Sequence, residues 1–249
     1  MFELFLDSSM NYSSAVYQES GQSLEEAQVN KMNRICDRLR LGPDDHLLEI
    51  GTGWGGLAVH LVKRSGCRIT TTTISAEQAA WARRQVVADG VGDRVEIRVQ
   101  DYRDVHDGPF DAVSSVGMFE HVGLARLGEY FDQVHSLMAP RGRFLNHAIS
   151  RPPGQSPEIS PRSFVARYVF PDGELHEVGS VITAMQRAGF EARHMEDMRE
   201  HYALTLRAWV ANLEQHWDRV VAHVGIRRAR VWRLYMAGSA IGFEEVTKG

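Results

Sequence analysis

The chain has 249 residues, 43% of them hydrophobic, and a formal net charge of −4. That length suits one α/β domain with an accessory helical part, and the mild acidity argues against nucleic-acid binding. No apolar run approaches the ~20 residues needed to span a bilayer.

In chain order, Met1–Asp7 carries acids and no basic n-region, which is not a secretory signal. Ser23-Leu24-Glu25-Glu26 is a capping-box pattern that opens a helix with Ala27, Met32, Ile35, Cys36 and Leu39 on its apolar face, stopped by Gly42-Pro43. A strand is predicted at 46–50, a helix at 55–64, a β-branched strand at 67–74 and a strong helix at 76–89 ended by Gly90. Strands follow at 95–99 and 110–116, a helix at 124–138 ended by Pro140-Arg141-Gly142, and a strand at 143–149. Residues 151–163, with Pro152, Pro153, Pro157 and Pro161, read as a loop, and Phe164–Phe170 as an apolar aromatic stretch. A helix at 180–188, a strand over Phe190–Met195 and two long amphipathic helices at 204–223 and 227–241 complete the order. Alternating units of this kind predict an α/β fold with a doubly wound, mostly parallel sheet and a C-terminal helical cap. Within a single domain, residues 1–41 form an N-terminal helical segment, 42–150 a cofactor-binding core, and 151–249 a cap. Cys36 and Cys67 lack a C-x-x-C partner and read as core thiols of a reducing cytosol. The histidines are scattered without ligand pairs, which predicts no metal site.

The stretch Leu47-Leu48-Glu49-Ile50-Gly51-Thr52-Gly53-Trp54-Gly55-Gly56 is a strand, a glycine-rich turn and a helix start, the build of a nucleotide cradle. Gly51, Gly53 and Gly56 fit the dinucleotide spacing G-x-G-x-x-G, but that fingerprint wants an acidic residue about 20 positions on. Thr70-Thr71-Thr72-Thr73 stands there instead. Glu49, Gly51, Gly53 and Gly55 resemble the E-x-G-x-G-x-G loop of S-adenosylmethionine (AdoMet) methyltransferases. Ligands of open α/β sheets bind at the carboxyl ends of the strands. Thr73, Ile74 and Gln78 follow the second strand and face the ribose on this reading, and Asp101 and Tyr102 follow the third and face the adenosine.

Further stretches make the resemblance specific. They are Met10-Asn11-Tyr12-Ser13-Ser14-Ala15, Thr72-Thr73-Ile74-Ser75-Ala76-Glu77-Gln78, Gln100-Asp101-Tyr102-Arg103, Phe119-Glu120-His121-Val122-Gly123, Tyr168-Val169-Phe170-Pro171-Asp172-Gly173 and His201–Trp209. With the glycine loop they span nearly the whole chain and resemble, in order, the cyclopropane-fatty-acyl-phospholipid synthases and mycolic acid cyclopropane synthases. The resemblance implies the AdoMet methyltransferase fold and transfer of a methylene from AdoMet to a cis double bond of an unsaturated phospholipid acyl chain. It also implies a bound bicarbonate ion that takes up the proton lost on ring closure, at Ser14, Glu120, His147 and Tyr202. Tyr12 and Ser13 then join the cofactor residues, and the rings of Tyr202, Tyr235 and Phe170 face the cationic intermediate. Phe164, Val165, Tyr168, Val169, Leu204 and Leu206 are acyl-tunnel walls or plain core. Arg227-Arg228-Ala229-Arg230 with Arg233 forms a basic helix face, either solvated or in peripheral contact with anionic lipid. The implied location is cytoplasmic, with peripheral contact at the inner membrane surface.

Three departures stand against that pattern. Ser14 occupies a place where many members have cysteine, which leaves methylation without ring closure as the nearest variant. A Tyr-Asp-x-x-Asn-like stretch before the start and a last inserted strand after Gly249 are missing, so both ends look clipped. Two other functions stay open: a small-molecule C- or N-methyltransferase, and a non-catalytic truncated remnant. The acyl substrate and the oligomeric state are not legible.

Overall fold

A computed structural model describes residues 1–154, 160, 162–171 and 173–245. Pro157, Pro161, Asp172 and the last four residues, for which the sequence reading made assignments, lie outside the described residues.

The elements are α1 (Leu24–Leu39), β1 (His46–Ile50), α2 (Gly56–Ser65), β2 (Arg68–Thr73), α3 (Ala76–Ala88), β3 (Val95–Val99), β4 (Phe110–Val116), α4 (Leu127–Ser136), β5 (Met138–His147), α5 (Phe164–Tyr168), α6 (Val178–Arg187), α7 (Arg199–Gln215), α8 (Trp217–Val224) and α9 (Ile226–Glu244), with short 3-10 turns between some of them. They divide into two compact units: Met1–Met32, Pro161–Pro171 and Glu196–Gly249 in the helical unit, and Asn33–Ser160 and Asp172–Met195 in the sheet unit.

The sheet unit carries a five-stranded parallel sheet in the order β3-β2-β1-β4-β5. The chain winds from β1 to β3 on one side and then restarts at β4 on the other. The strand order therefore reverses beside β1, where open α/β sheets bind ligands. β1 and β2 are almost wholly buried, and the β-branched run Ile69–Thr73 suits a central strand. Leu48, Ile50, Phe110 and Val113 of β1 and β4 pack with Tyr130, Phe131 and Val134 of α4, and Val181, Ala184 and Met185 of α6 lie against the same core.

In the helical unit the predicted capping box forms in full: Ser23 N–H donates to Glu26 Oε2 (2.8 Å) and Glu26 N–H donates to Ser23 Oγ (3.2 Å). Phe2, Phe5, Tyr12, Trp209 and Trp232 pack ring against ring, with centroids 5.2–6.4 Å apart.

Three expectations need correction, and one stretch gains an assignment. The strand predicted over Phe190–Met195 does not form. Phe190 packs on Phe144 and Phe131, Glu191 pairs with Arg193, and among the described residues no strand pairs with this segment to complete a ladder. β5 starts at Met138 rather than Arg143, because Met138 already pairs with Phe110 and the Pro140-Arg141-Gly142 stretch is taken up as an irregularity in register. Pro140 is tolerated on an edge strand, where a missing N–H costs least. The helix predicted at 204–223 begins earlier, at Arg199, and breaks at His216 into α7 and α8. Part of the aromatic stretch 164–170 is the short helix α5, capped by Ser163 Oγ on Ala166 N–H (3.1 Å).

Candidate functional site

The glycine loop joins β1 to α2 as predicted. Gly51 N–H and Thr52 N–H both donate to Thr72 O (3.0 and 2.9 Å), which ties the loop to the tip of β2. Gly55 has φ +89°, and a Cβ there would sit 2.8 Å from Ala82 Cβ, so this glycine lets α2 start hard against α3. Gly53, at φ +51°, has nothing within 4 Å of a built Cβ: its backbone faces open space that a ligand can approach. Trp54 packs edge-on against Trp81.

Glu49 is 3% exposed. Its Oε2 accepts from Thr71 Oγ1 at 2.6 Å, and Thr71 Oγ1 lies 2.9 Å from Thr52 Oγ1. Burial pushes the carboxyl up to about 7, with Thr71 opposing. At the next tip, Thr73 Oγ1 donates to Gln78 Oε1 (2.9 Å) and accepts from Ser75 N–H (3.1 Å), while Ser75 caps α3. Ile74 is 80% exposed, unusual for its type. Asp101, after β3, accepts from Arg103 Nε and Nη2 (2.9 and 2.6 Å), which holds its carboxyl below the usual range. Tyr102 turns its ring edge to Tyr130. A buried acid, an open glycine and an exposed apolar side chain on neighbouring strand tips fit the polar and flat parts of AdoMet.

Across the switch point, Glu120 follows β4 and His147 ends β5 opposite Val116. Glu120 Oε1 accepts from Ile149 N–H (2.9 Å). Oε2 is buried without a hydrogen-bond partner. Burial raises this carboxyl, with the Ile149 N–H opposing. His176 lies in the same unit, 2% exposed, with both ring nitrogens unpartnered and its ring edge on Phe119. Burial lowers its pKa and so favours the neutral ring.

In the helical unit, segment 11–17 is threaded along α1 and α7. Ala15 N–H donates to Thr205 Oγ1 (3.0 Å), Tyr17 N–H to His201 Nδ1 (3.2 Å), and Gln28 Nε2 to Ser13 O (3.0 Å). Tyr12 stacks on Trp209 at 5.2 Å. Burial, with the phenols of Tyr235 and Tyr202 close by, drives its own phenol far up, so it stays neutral. Tyr12, Tyr202 and Tyr235 are thus brought together, and Phe170 sets its edge against Tyr235 at 5.8 Å. Ser14 is buried, and its hydroxyl donates to Ala15 O (3.1 Å) rather than to any predicted site residue. Leu206 is fully buried and belongs to the core, whereas Leu204 is exposed. Arg227, Arg228 and Arg230 are exposed, while Arg233 sits over the Trp217 ring and 3.6 Å from Glu214.

Several residues of these sites escaped the sequence reading. Thr52 and Thr71 were visible only as loop and strand positions. Ile149 acts through its backbone, which no side-chain pattern announces. Lys31, 2% exposed, donates through Nζ to Ser13 Oγ (2.8 Å) and Asn11 Oδ1 (3.3 Å). Its signal was present: it lies one helical turn from both Ala27 and Ile35, inside the apolar stripe of α1.

The chain is 46% identical over 243 residues to a probable fatty acid methyltransferase of Mycobacterium tuberculosis, covering 98% of this chain and 56% of that protein. It is 33% identical to the cyclopropane-fatty-acyl-phospholipid synthase of Escherichia coli K12, covering 98% and 61%. Its length is thus about six-tenths that of these curated relatives. The mycolic acid cyclopropane synthase CmaA1, solved in complex with SAH and CTAB, superposes with a TM-score of 0.88 at 29% identity, covering 98% of this chain and 88% of that one. The family model for mycolic acid cyclopropane synthetase matches residues 1–248, and the chain belongs to that family.

Proposed function

We propose that this protein transfers a one-carbon unit from AdoMet to a cis carbon–carbon double bond in the acyl chain of an unsaturated phospholipid. The observation that carries the reading is the strand-tip set of the sheet unit: the open Gly53, the buried Glu49, and Glu120 with one oxygen committed to Ile149 N–H and the other unpartnered. The relatives named as fatty acid methyltransferase and cyclopropane synthase support a lipid substrate, and the CmaA1 complex with SAH supports the cofactor.

When bound, AdoMet supplies an electrophilic methyl carbon, and a bicarbonate ion supplies a base for the proton released if a ring closes. Glu49, Gly51, Gly53, Gly55, Thr73, Ile74, Gln78, Asp101 and Tyr102 hold the cofactor on this reading, with Tyr12 and Ser13 as further contacts. Glu120 and His147, with Ser14 and Tyr202, hold the anion. An alkene has no acidic proton, so no side chain has to act as a base before the methyl is attacked. Burial raises the Glu120 carboxyl, which lessens its repulsion of a nearby anion. The rings of Tyr202 and Tyr235 offer π faces to a developing carbocation, worth about 0.5–2 kcal/mol each. Exposed Arg227, Arg228 and Arg230 on α9 give the protein a basic face for peripheral contact with anionic lipid.

The test is incubation of the protein with methyl-labelled AdoMet and vesicles of a cis-unsaturated phospholipid, followed by mass analysis of the fatty esters. Label in an acyl chain that has gained one CH2 supports the reading, and fragmentation separates a ring from a methyl branch or a methylene. Acyl chains that stay unlabelled while AdoMet binds would sink it.

A further inference from the structure

The turn that carries Glu120 has little of its own to fix it. It runs between Gly117 and Gly123, both at positive φ (+68° and +76°). Inside it, His121 N–H donates to Met118 O and Val122 N–H to Phe119 O (3.0 Å each). Glycines at both ends give such a turn room to swing. Segment 174–176 restrains it. Glu174 N–H donates to Glu120 O (2.9 Å), and Leu124 N–H donates to Glu174 Oε2 (2.7 Å). One residue thus grips the turn through its main chain at Glu120 and through its carboxylate just beyond Gly123. A Cβ built on Gly123 would lie 3.5 Å from Glu174 Oε1, so the carboxylate lies against this part of the turn.

The same segment is tied to the loop after β5. Ser150 and His176 form a parallel bridge, Arg151 N–H donates to His176 O (3.1 Å), and Arg151 Nε donates to Leu175 O (2.8 Å). Glu120 Oε1, which accepts from Ile149 N–H (2.9 Å), closes the circuit. Three stretches of the sheet unit, 120–124, 149–151 and 174–176, are therefore joined pairwise. In each of these hydrogen bonds an N–H donates to an oxygen, so the directions are fixed. Glu174 is half-buried, and an amide oxygen in the place of its Oε2 would also accept from Leu124 N–H.

We propose that Glu174 is a positioning residue: it fixes the turn so that Glu120 keeps one oxygen on Ile149 N–H and leaves the other for the small anion used in one-carbon transfer. The inference rests on the reading of Glu120 given above, and it adds a residue that acts through Glu120.

The experiment follows the Ile149 amide by NMR in the whole chain with isotopically labelled isoleucine, and measures steady-state transfer to vesicles of a cis-unsaturated phospholipid with the same preparations. Glu174→Ala removes the acceptor. Leu124→Pro removes the donor, at the first position of the helical turn Leu124–Arg126, where proline is accommodated. Each variant is expected to move the Ile149 amide proton upfield as its bond to Glu120 lengthens. Each should also lower kcat by about tenfold or more while KM for AdoMet stays within about twofold, the signature of a displaced group at the reacting centre. Glu174→Gln keeps an acceptor and is expected to restore both the amide signal and kcat to within about threefold. An Ile149 amide that stays in place in Glu174→Ala and Leu124→Pro would overturn the proposal, as would equal losses in Glu174→Ala and Glu174→Gln. A fall in kcat matched by a rise in KM for AdoMet would also overturn it, because it would mean general loosening of the sheet unit. An unaltered protein that transfers nothing to the acyl chain would refute the function proposed above and the role drawn from it, and the Ile149 signal separates that failure from a failure of the brace.

Discussion

Glu49 in the sheet unit and Lys31 in the helical unit are both almost inaccessible, and burial drives both toward about pH 7 from opposite sides. Their surroundings differ. Glu49 sits among neutral hydroxyls from adjacent strands, held by Thr71. Lys31 is held by side chains from a segment about 20 positions earlier in the chain, with Asp7 as countercharge. The contrast extends to each unit. The glycine loop is a backbone construction, set by glycine dihedrals and bonds to Thr72 O. The tyrosine cluster is a side-chain construction, set by rings drawn from residues 2–12, 202–209 and 232–243.

If the helical unit depends on its rings, its largest single loss is at Trp209, which is 0% exposed and touches Tyr12, Phe5 and Tyr202. Trp209→Ala is expected to cost about 3–5 kcal/mol in urea unfolding, and Trp209→Phe distinctly less. A loss below about 1 kcal/mol for the alanine variant would break the comparison, because it would place the rings outside the cooperative core.

The pH dependence comes next in size and distinguishes the two charges by sign. Glu49 has its folded pKa raised from 4.5 to about 7. Its favourable contribution is full below 4.5, where both states are protonated, and is lost as pH rises through 7. The total is roughly 3 kcal/mol at about 1.4 kcal/mol per unit. Lys31 has its folded pKa lowered from 10.5 to about 7. Between those values the unfolded chain binds the extra proton, so stability recovers as pH rises from 7 toward 10.5. Unfolding measured across pH 4–10 should therefore show Glu49→Gln removing a falling limb below pH 7 and Lys31→Met removing a rising limb above it. Limbs unchanged by either variant would show that these groups titrate normally.

The backbone construction is tested at Gly55. Gly55→Ala places a Cβ 2.8 Å from Ala82 Cβ at φ +89° and should cost about 2–3 kcal/mol from clash and left-handed strain together. Combining it with Ala82→Gly should relieve the contact with the Ala82 Cβ and leave the strain, about 1 kcal/mol, and the 3.1 Å approach to the residue 82 Cα. Complete recovery would mean that the loop tolerates a side chain there.

This division also explains what the sequence disclosed. β1, the glycine loop, β2 and α3 rest on signals a few residues apart, and they formed where expected, as did the Ser23–Glu26 capping box. Phe190–Met195 failed as a strand because pairing is decided by neighbours, which alternation cannot supply. The break at His216 is a local departure inside an unbroken amphipathic pattern. Tyr12 lies 190 positions from Tyr202 and 223 from Tyr235 in the sequence, and only the family resemblance joined them. Lys31 was readable as a lysine in an apolar stripe, but its partners depended on where Asn11 and Ser13 came to rest.

The smallest expected effect is the sharpest test of the sheet unit. Asp101 accepts both a side-chain fork and the N–H of Arg103, two residues away, and the arginine side chain is half exposed. Exposed ion pairs contribute about 0–1 kcal/mol, so Arg103→Ala should leave the unfolding midpoint almost unchanged. The arginine is nevertheless the main reason that the Asp101 carboxyl lies below its ordinary range. Its removal should return Asp101 toward that range in an NMR titration, while the Arg103 backbone N–H still accounts for part of the depression. AdoMet affinity should move little if the cofactor is held by loop backbone and the Thr73–Gln78 tip. A large loss of affinity in Arg103→Ala, with stability intact, would instead make the oriented Asp101 carboxylate the main anchor, and the sheet unit would then be as side-chain-dependent as the helical one.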